Sequence, residues 1–333
     1  MASYHAIKHY PPKKKKWIAD HLINLRQSLR EDIDKNRSPD SLIVASWNIR
    51  AFDGGRPRRD ESYHYIAEII DHFDICAIQE IKPDLAPLKR LVELLGKNWS
   101  YFVSDVTDGS AGNSERMAFL YNENKVSFRH LIGEIVLPKN SLVDGQAATA
   151  SNQIARTPFF ASFQADWFRF TLCSSHITFA KNEFREQEIA TITKILATRA
   201  KKEDEVYIFL GDMNIESPDD ATMTALTKNG FTAPLFGATN LAGRNHFDQL
   251  AFTSENIKTN LQRHGCFDWR SAIYKKDERS HYKKIAEKMR GRPYAKWNEA
   301  IYRGWTTWEM SDHMPIWVEL KTDYSDDYLK RYI

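Results

Sequence analysis

The chain has 333 residues, with 47 basic against 44 acidic side chains, a net charge of +3 and 42% hydrophobic residues. At roughly 150 residues per domain the length allows two domains, but single α/β domains reach about 250, so one large domain with extensions is expected. No apolar stretch approaches the roughly 20 residues that span a bilayer, and the net charge is too small to imply a polyanionic partner by its sum alone, so its distribution matters more.

Residues 1–40 read as a basic, helical extension. Lys13, Lys14, Lys15 and Lys16 form a run with no apolar segment behind it, so the secretory pattern is missing. Residues 17–25 carry the apolar spacing of a short amphipathic helix packed on a core. The expected compartment is the cytoplasm, or the nucleus through the lysine run if the host has one. Cys76, Cys173 and Cys266 cannot all pair, and the first two fall in core strands, so reduced, packed thiols are expected.

The run from Leu42 to Ser46 predicts a strand, and Ile66, Ile69, Ile70 and Phe73 follow the spacing of a helix face. Asp74 to Gln79 is a second strand and Pro87 to Leu95 a second helix, the alternation of a sheet covered by helices. Met117 to Tyr121, Pro158 to Gln164 and Trp167 to Ser175 are strand-like. The last two lie close enough for a hairpin, so antiparallel pairing enters here. A helix over 183–200 leads into a strand over 206–210, and further strands cover Phe247 to Phe252 and Pro315 to Leu320.

Between Arg263 and Arg303 lie twelve Lys or Arg against five acids, interleaved with Trp269, Tyr274, Tyr282, Tyr294, Trp297 and Tyr302. That mix suits cations gripping phosphates while bases stack on aromatic faces, with Lys283, Lys284, Arg290 and Arg292 as candidate substrate contacts. A solvated helical insertion with packed aromatics is the other reading.

Hydrolysing a phosphodiester needs a cation on the phosphoryl oxygen, a base for water and an acid for the leaving oxygen. Gly211-Asp212-Met213-Asn214 follows one predicted strand directly, and Ser311-Asp312-His313 precedes another, offering acids beside a titratable imidazole. Asn48 and Glu80 end the first two strands, a hard-oxygen pair suited to Mg²⁺, with Mn²⁺ or Ca²⁺ as substitutes. Arg50, with Gly54, Gly55, Arg56, Arg58 and Arg59 beyond it, reads either as a phosphate-binding rim or as an exposed loop. Phosphate-loop, zinc-helix, Cys-x-x-Cys and Gly-x-Ser-x-Gly patterns are all missing.

Taken in chain order, Trp47-Asn48, Gln79-Glu80, Ser174-Ser175-His176, Gly211-Asp212-Met213-Asn214, Phe247-Asp248 and Ser311-Asp312-His313 resemble the endonuclease/exonuclease/phosphatase superfamily over residues 41–322. Glu115 and His176 make the chain look most like the deoxyribonuclease-I-type branch; the apurinic-site branch typically has tyrosine at the position of His176. The resemblance implies a four-layer α/β sandwich, two packed mixed β-sheets flanked by helices. The catalytic domain would then be 41–322, with a basic aromatic insertion at about 263–303 and a short tail at 323–333.

The resemblance also implies roles. Glu80 would be the principal Mg²⁺ ligand, helped by Asn48 and Asp312. His313, paired with Asp248, would be the base, and His176, paired with Glu115, the acid. Asp212 and Asn214 would position water and phosphate oxygens, and Arg116 beside Glu115 is a further candidate substrate contact. Nucleic acid is the expected partner, with no protein partner implied and a monomer expected. Phospholipid or inositol-phosphate hydrolysis within the same superfamily, and an inactive nucleic-acid-binding scaffold, are the rival expectations.

Overall fold

Twelve strands form two six-stranded sheets in the computed structural model, which describes residues 2–107, 112–137, 153–253 and 260–333. In the first sheet the order is β11 (Leu261–Cys266), β12 (Ile316–Lys321), β1 (Ser41–Phe52), β2 (Ile75–Ile81), β4 (Arg116–Asn122), β3 (Trp99–Val103). In the second it is β5 (Ser127–Glu134), β6 (Phe159–Ala165), β7 (Phe168–His176), β8 (Val206–Asp212), β10 (Asp248–Thr253), β9 (Phe231–Thr232). Both sheets are mixed. β1 pairs parallel with β2 and β7 parallel with β8, and the crossovers such pairs require contain α2 (Asp60–Asp71) and α4 (Asn182–Glu203). The hairpin expected in the middle of the chain is β6–β7, closing at Ala165 opposite Phe168.

The alternation of side chains along each strand builds four layers. Leu42 and Val44 of β1 and Ile208 and Leu210 of β8 point into a core between the sheets, where the Phe119 and Phe159 rings stack with centroids 5.1 Å apart. Ile43, Ala45, Trp47 and Ile49 face the other way, under α1 (Pro12–Leu29), α2 and α3 (Ala86–Leu95). Tyr207 and Phe209 of β8 likewise lie under α4 and α5 (Ala221–Thr227). The sandwich expected from the sequence is the architecture observed. No helix among the described residues is long and apolar enough to cross a membrane.

Several local expectations change. The N-terminal helix runs over Pro12–Leu29 and takes in the lysine run, with Pro12 at its first turn, where a missing N–H costs nothing. Phe73 lies past the end of α2. Residues 261–266, at the head of the segment expected to be an insertion, form β11 at an edge of the first sheet. Residues 325–329 of the tail are helical, as α8 (Ser325–Leu329).

Four of the six aromatic side chains of the basic segment are not offered to a ligand as expected, and Tyr294 and Trp297 are half-buried against the same core. Trp269, Tyr274, Tyr282 and Tyr302 are buried, and α6 (Arg279–Arg290) packs on α1 through a Trp17–His281 stack at 3.8 Å and a 3.0 Å hydrogen bond from Trp17 to the Tyr282 hydroxyl. Composition could not tell which face of α6 would be apolar and covered. The apolar face went to α1, and the cations Lys283, Lys284 and Arg290 stayed in solvent.

A half-buried imidazole ties the first helix layer together. His72 lies 2.9 Å from Asp34 and 3.4 Å from Glu68; burial opposes its charge, but the hydrogen bonds to these two carboxylates outweigh burial and push it up to about 9 from 6.5. A folded-state value raised above the unfolded one stabilises fully below about 6.5, and that contribution disappears as pH rises through about 9. The decline of unfolding free energy over this interval, read by urea titration, should be shallower in His72→Gln than in the wild type.

Candidate active site

The two sheets deliver their polar residues to one shared edge. β1 contributes Asn48 and β2 contributes Glu80, while Glu115 directly precedes β4. From the second sheet His176 ends β7, Asp212 ends β8 opposite it, and Asp248 begins β10 opposite Asp212. His313 arrives on the loop before β12, bridged to Asn240.

Irregular backbone aims these groups. The β2–β4 register shifts between Ile78 and Ile81, and Glu80 at that bulge has φ +62°; a bulge turns a side chain out of the strand's alternation. Ala51, within the matching shift in β1, donates its N–H to Glu80 Oε2 at 2.7 Å. Asn214 has φ +51°, and its amide donates to the Ile177 carbonyl at 2.7 Å.

Buried polar straps hold the sheets in register at this edge. Gln79 Nε2 donates to Ser46 and, across the core, to Ser174 Oγ at 3.0 Å. The Ser311 hydroxyl donates to the Asn48 carbonyl at 2.6 Å and accepts from His313 N at 3.0 Å, and the Trp47 indole donates to the His313 carbonyl at 3.0 Å. The Ser-Asp-His loop is thus fastened to the Trp-Asn end of β1.

Asp212 is the hub of the charged cluster. Its Oδ2 accepts from Asn48 Nδ2 at 2.9 Å and lies 3.4 Å from His176 Nε2 and 3.7 Å from His313 Nε2. Each imidazole is backed by its own carboxylate: His313 Nδ1 is 2.7 Å from Asp248 Oδ2, which also accepts from Thr239, and His176 Nδ1 is 3.0 Å from Glu115 Oε2. Burial opposes charge on His313, but Asp248 and Asp212 outweigh it and hold the ring well above the usual histidine range. Burial also pushes Asp212 up, yet His313 and His176 prevail and its carboxyl is lowered. For Glu115, the His176 ring 3.0 Å away, with Arg156 and Lys82, overcomes burial and brings the carboxyl down to about 2.

Among the described residues, two groups of side chains place ligand atoms within 4.8 Å of one another: Glu80, Glu115 and His176, and Asp212, Asp248 and His313. Asn48 lies between them, its amide nitrogen donating at 2.9 Å to both Glu80 and Asp212. That leaves Asn48 Oδ1 buried with no donor, an acceptor beside carboxylates where a hard cation satisfies what no N–H does. The donor set fits a divalent metal.

The remaining predicted residues lie around this cluster. Asp312 is 41% exposed and sits 3.6 Å from Arg50 Nη1, outside both groups. Arg50 also donates to Thr307 and stacks on the Trp308 ring at 4.1 Å. Arg116 donates to the Ser104 carbonyl at 2.8 Å and lies 3.6 Å from Asp105. Lys283, Lys284, Arg290 and Arg292 are exposed on and after α6, with no hydrogen bond or ion pair to the cluster among the described residues. Sequence reading missed Arg156, whose Nε forms an ion pair with Glu115 at 3.4 Å and whose Nε and Nη1 are buried with no hydrogen bond among the described residues. An Arg two residues before a proline carries no signal of its own; only folding brings it to Glu115.

The sequence profile of the endonuclease/exonuclease/phosphatase family matches residues 45–311. Deoxyribonuclease-1 of Bos taurus is 28% identical over 130 residues, 38% of this chain and 43% of that enzyme, and deoxyribonuclease gamma of Rattus norvegicus 28% over 186 residues, 52% and 56%. The chain therefore spans about half the length of the curated relatives it matches. Among solved structures, a Bacteroides thetaiotaomicron endonuclease/exonuclease/phosphatase family protein superposes with TM-score 0.57 at 18% identity, covering 86% of this chain and all of the other. The mannosyl-6-phosphatase of the same species superposes with TM-score 0.55 at 18% identity over 84% and 99%. The match over most of the chain and the shared fold establish that this protein belongs to the endonuclease/exonuclease/phosphatase family.

Proposed function

We propose that the protein is a Mg²⁺-dependent nuclease that hydrolyses phosphodiester bonds in DNA by one-step attack of water. The observation that carries this reading is the pair of imidazoles that approach a single Asp212 carboxylate through Nε2, each with a separate carboxylate behind Nδ1. A carboxylate fixes the tautomer of the ring it backs, Asp248 and Asp212 hold His313 above the usual histidine range, and two such rings facing one gap supply a base and an acid on opposite sides of a phosphorus centre. His313 takes the proton of the attacking water at Nε2, with Asp248 stabilising the imidazolium that forms. His176, backed by Glu115, gives a proton from Nε2 to the leaving oxygen. Glu80 and Asn48 Oδ1 would hold the metal, which supplies Lewis-acid stabilisation of charge on the phosphoryl oxygens. Arg156, whose Nε lies 3.4 Å from Glu115 Oε2, adds a fixed positive charge beside the carboxylate that backs His176. The similarity to the two deoxyribonucleases supports DNA as substrate.

The test is hydrolysis of plasmid DNA, structured RNA, sphingomyelin and inositol phosphates with and without Mg²⁺. Metal-dependent cleavage of DNA is expected, and lipid or inositol-phosphate turnover with inert nucleic acid would overturn the reading. Asn48→Ala, which removes the unsatisfied oxygen, should raise the Mg²⁺ concentration for half-maximal activity about tenfold or more; an unchanged requirement would remove Asn48 from the ligand set.

A further inference from the structure

We propose that Arg56 and Trp308, stacked with Arg50 at the rim of the site, form a subsite for the backbone phosphate next to the scissile one. This rests on the nucleic-acid reading and extends it to how the strand is held. The Arg50 guanidinium lies over the Trp308 ring at 4.1 Å and that of Arg56 at 5.6 Å. Trp308 belongs to α7 (Glu299–Glu309), three residues before Ser311, and Arg50 lies two residues past Asn48. The stack therefore abuts both the metal-side and the base-side residues of the cluster.

The two arginines are not equivalent. Arg50 is already engaged, donating to Thr307 and lying 3.6 Å from Asp312. Arg56 is half-buried against the ring yet makes no hydrogen bond or ion pair among the described residues. A guanidinium laid on an indole keeps its N–H edge free, and that planar fork matches two oxygens of a phosphate.

The loop that carries Arg56 is held at both ends. Arg58, nearly inaccessible, pairs with Asp53 at 2.7 Å and donates to the carbonyls of Arg50 and, at 3.2 Å, Met310. Arg58 thereby joins the loop to the end of α7, so that Arg56 and Trp308 stay together before any ligand arrives. A guanidinium with unused donors, stacked on an aromatic ring and braced beside the site, is preorganised for an anion that continues from the reacting group. In a nucleic acid that anion is the neighbouring phosphate.

The test measures binding of 5′-fluorescein hexathymidylate, with each phosphate in turn replaced by an uncharged methylphosphonate, to His313→Ala protein in Mg²⁺. Neutralising one phosphate should weaken binding about fivefold, the size of a partly exposed ion pair. Adding Arg56→Ala, on the loop, or Trp308→Ala should abolish that penalty, whereas Trp308→Phe keeps it. The salt dependence of binding should lose about 0.7 in log–log slope with Arg56→Ala. An undiminished penalty in Arg56→Ala, or no penalty at any position with Arg56 present, overturns the subsite. Wild-type cleavage of the same oligonucleotide separates the two readings. If it is cleaved while the penalty survives Arg56→Ala, only the subsite falls; if it stays intact while the penalty depends on Arg56, the subsite stands and the nuclease reading falls.

Discussion

His313→Ala is expected to lower the turnover number for DNA by about 10²- to 10⁴-fold, the usual share of a positioned acid or base, while the protein still folds. The fold survives because the loop is fastened through backbone and neighbouring groups: Ser311 Oγ to the Asn48 carbonyl, and the Trp47 indole to the His313 carbonyl. Asp248 loses its ring but keeps the Thr239 hydroxyl at 2.7 Å. The same geometry fixes the pH behaviour. Asp248 and Asp212 raise the His313 ring above the usual histidine range, and a base must lose its proton before it can act, so the rising limb of kcat should lie above that range. Asp248→Asn removes one of the two charges and should move the limb to lower pH with a lower plateau. Steady-state kinetics across pH, with a thermal melt of each variant, check both statements. Full activity in His313→Ala, or a limb unmoved in Asp248→Asn, would contradict the assignment of the base.

The sequence carried the strand ends well because each chemical residue abuts a short apolar run, and such runs, seven residues in β2 and β8, are hard to mistake. Glu80, His176, Asp212 and Asp248 could be set at strand ends before any coordinate was known, whereas Asn48, expected after the first strand, lies inside β1, which runs on to Phe52. What brings them together was hidden. Gln79 reaches Ser174 over 95 residues of sequence, and Ser311 reaches Asn48 over 263; no local pattern encodes such partners. The aromatic residues after residue 266 misled for a related reason. Composition shows that Tyr274 and Tyr282 sit among cations, but the choice between solvent and core is made far away in sequence, by Trp17 of α1 for Tyr282 and by Ser62 and Tyr65 of α2 for Tyr274. Trp308 shows the converse, since one tryptophan among nine becomes distinctive only when two arginines are found over its ring.

Gly211→Ala should be among the most destabilising single-methyl additions in the chain, and it should take the activity with it. Gly211 is the next-to-last residue of β8, held on one side by Ser175 of β7 and on the other by Gln249 of β10. Its φ is +134°, where an L side chain is strained, and a Cβ built on it would lie 1.9 Å from the Ser175 carbonyl oxygen, a backbone atom fixed in the sheet. Strain of about 1–3 kcal/mol is compounded by a collision that only separation of the two strands can relieve, so the total should reach about 3 kcal/mol or more. Gly230→Ala is the control. It too has a positive φ, +86°, but nothing within 4 Å of the added carbon, so it should show the strain alone, about 1–2 kcal/mol. The difference between the two melts reports the β7–β8 contact. That contact also sets the His176–Asp212 pairing one residue further on, so Gly211→Ala protein assayed well below its melting temperature should still be impaired, unlike Gly230→Ala. Equal melting temperatures for the two variants would mean that β8 does not run against β7 in this register, and the gathering of His176, Asp212 and Asp248 at one edge would lose its structural basis.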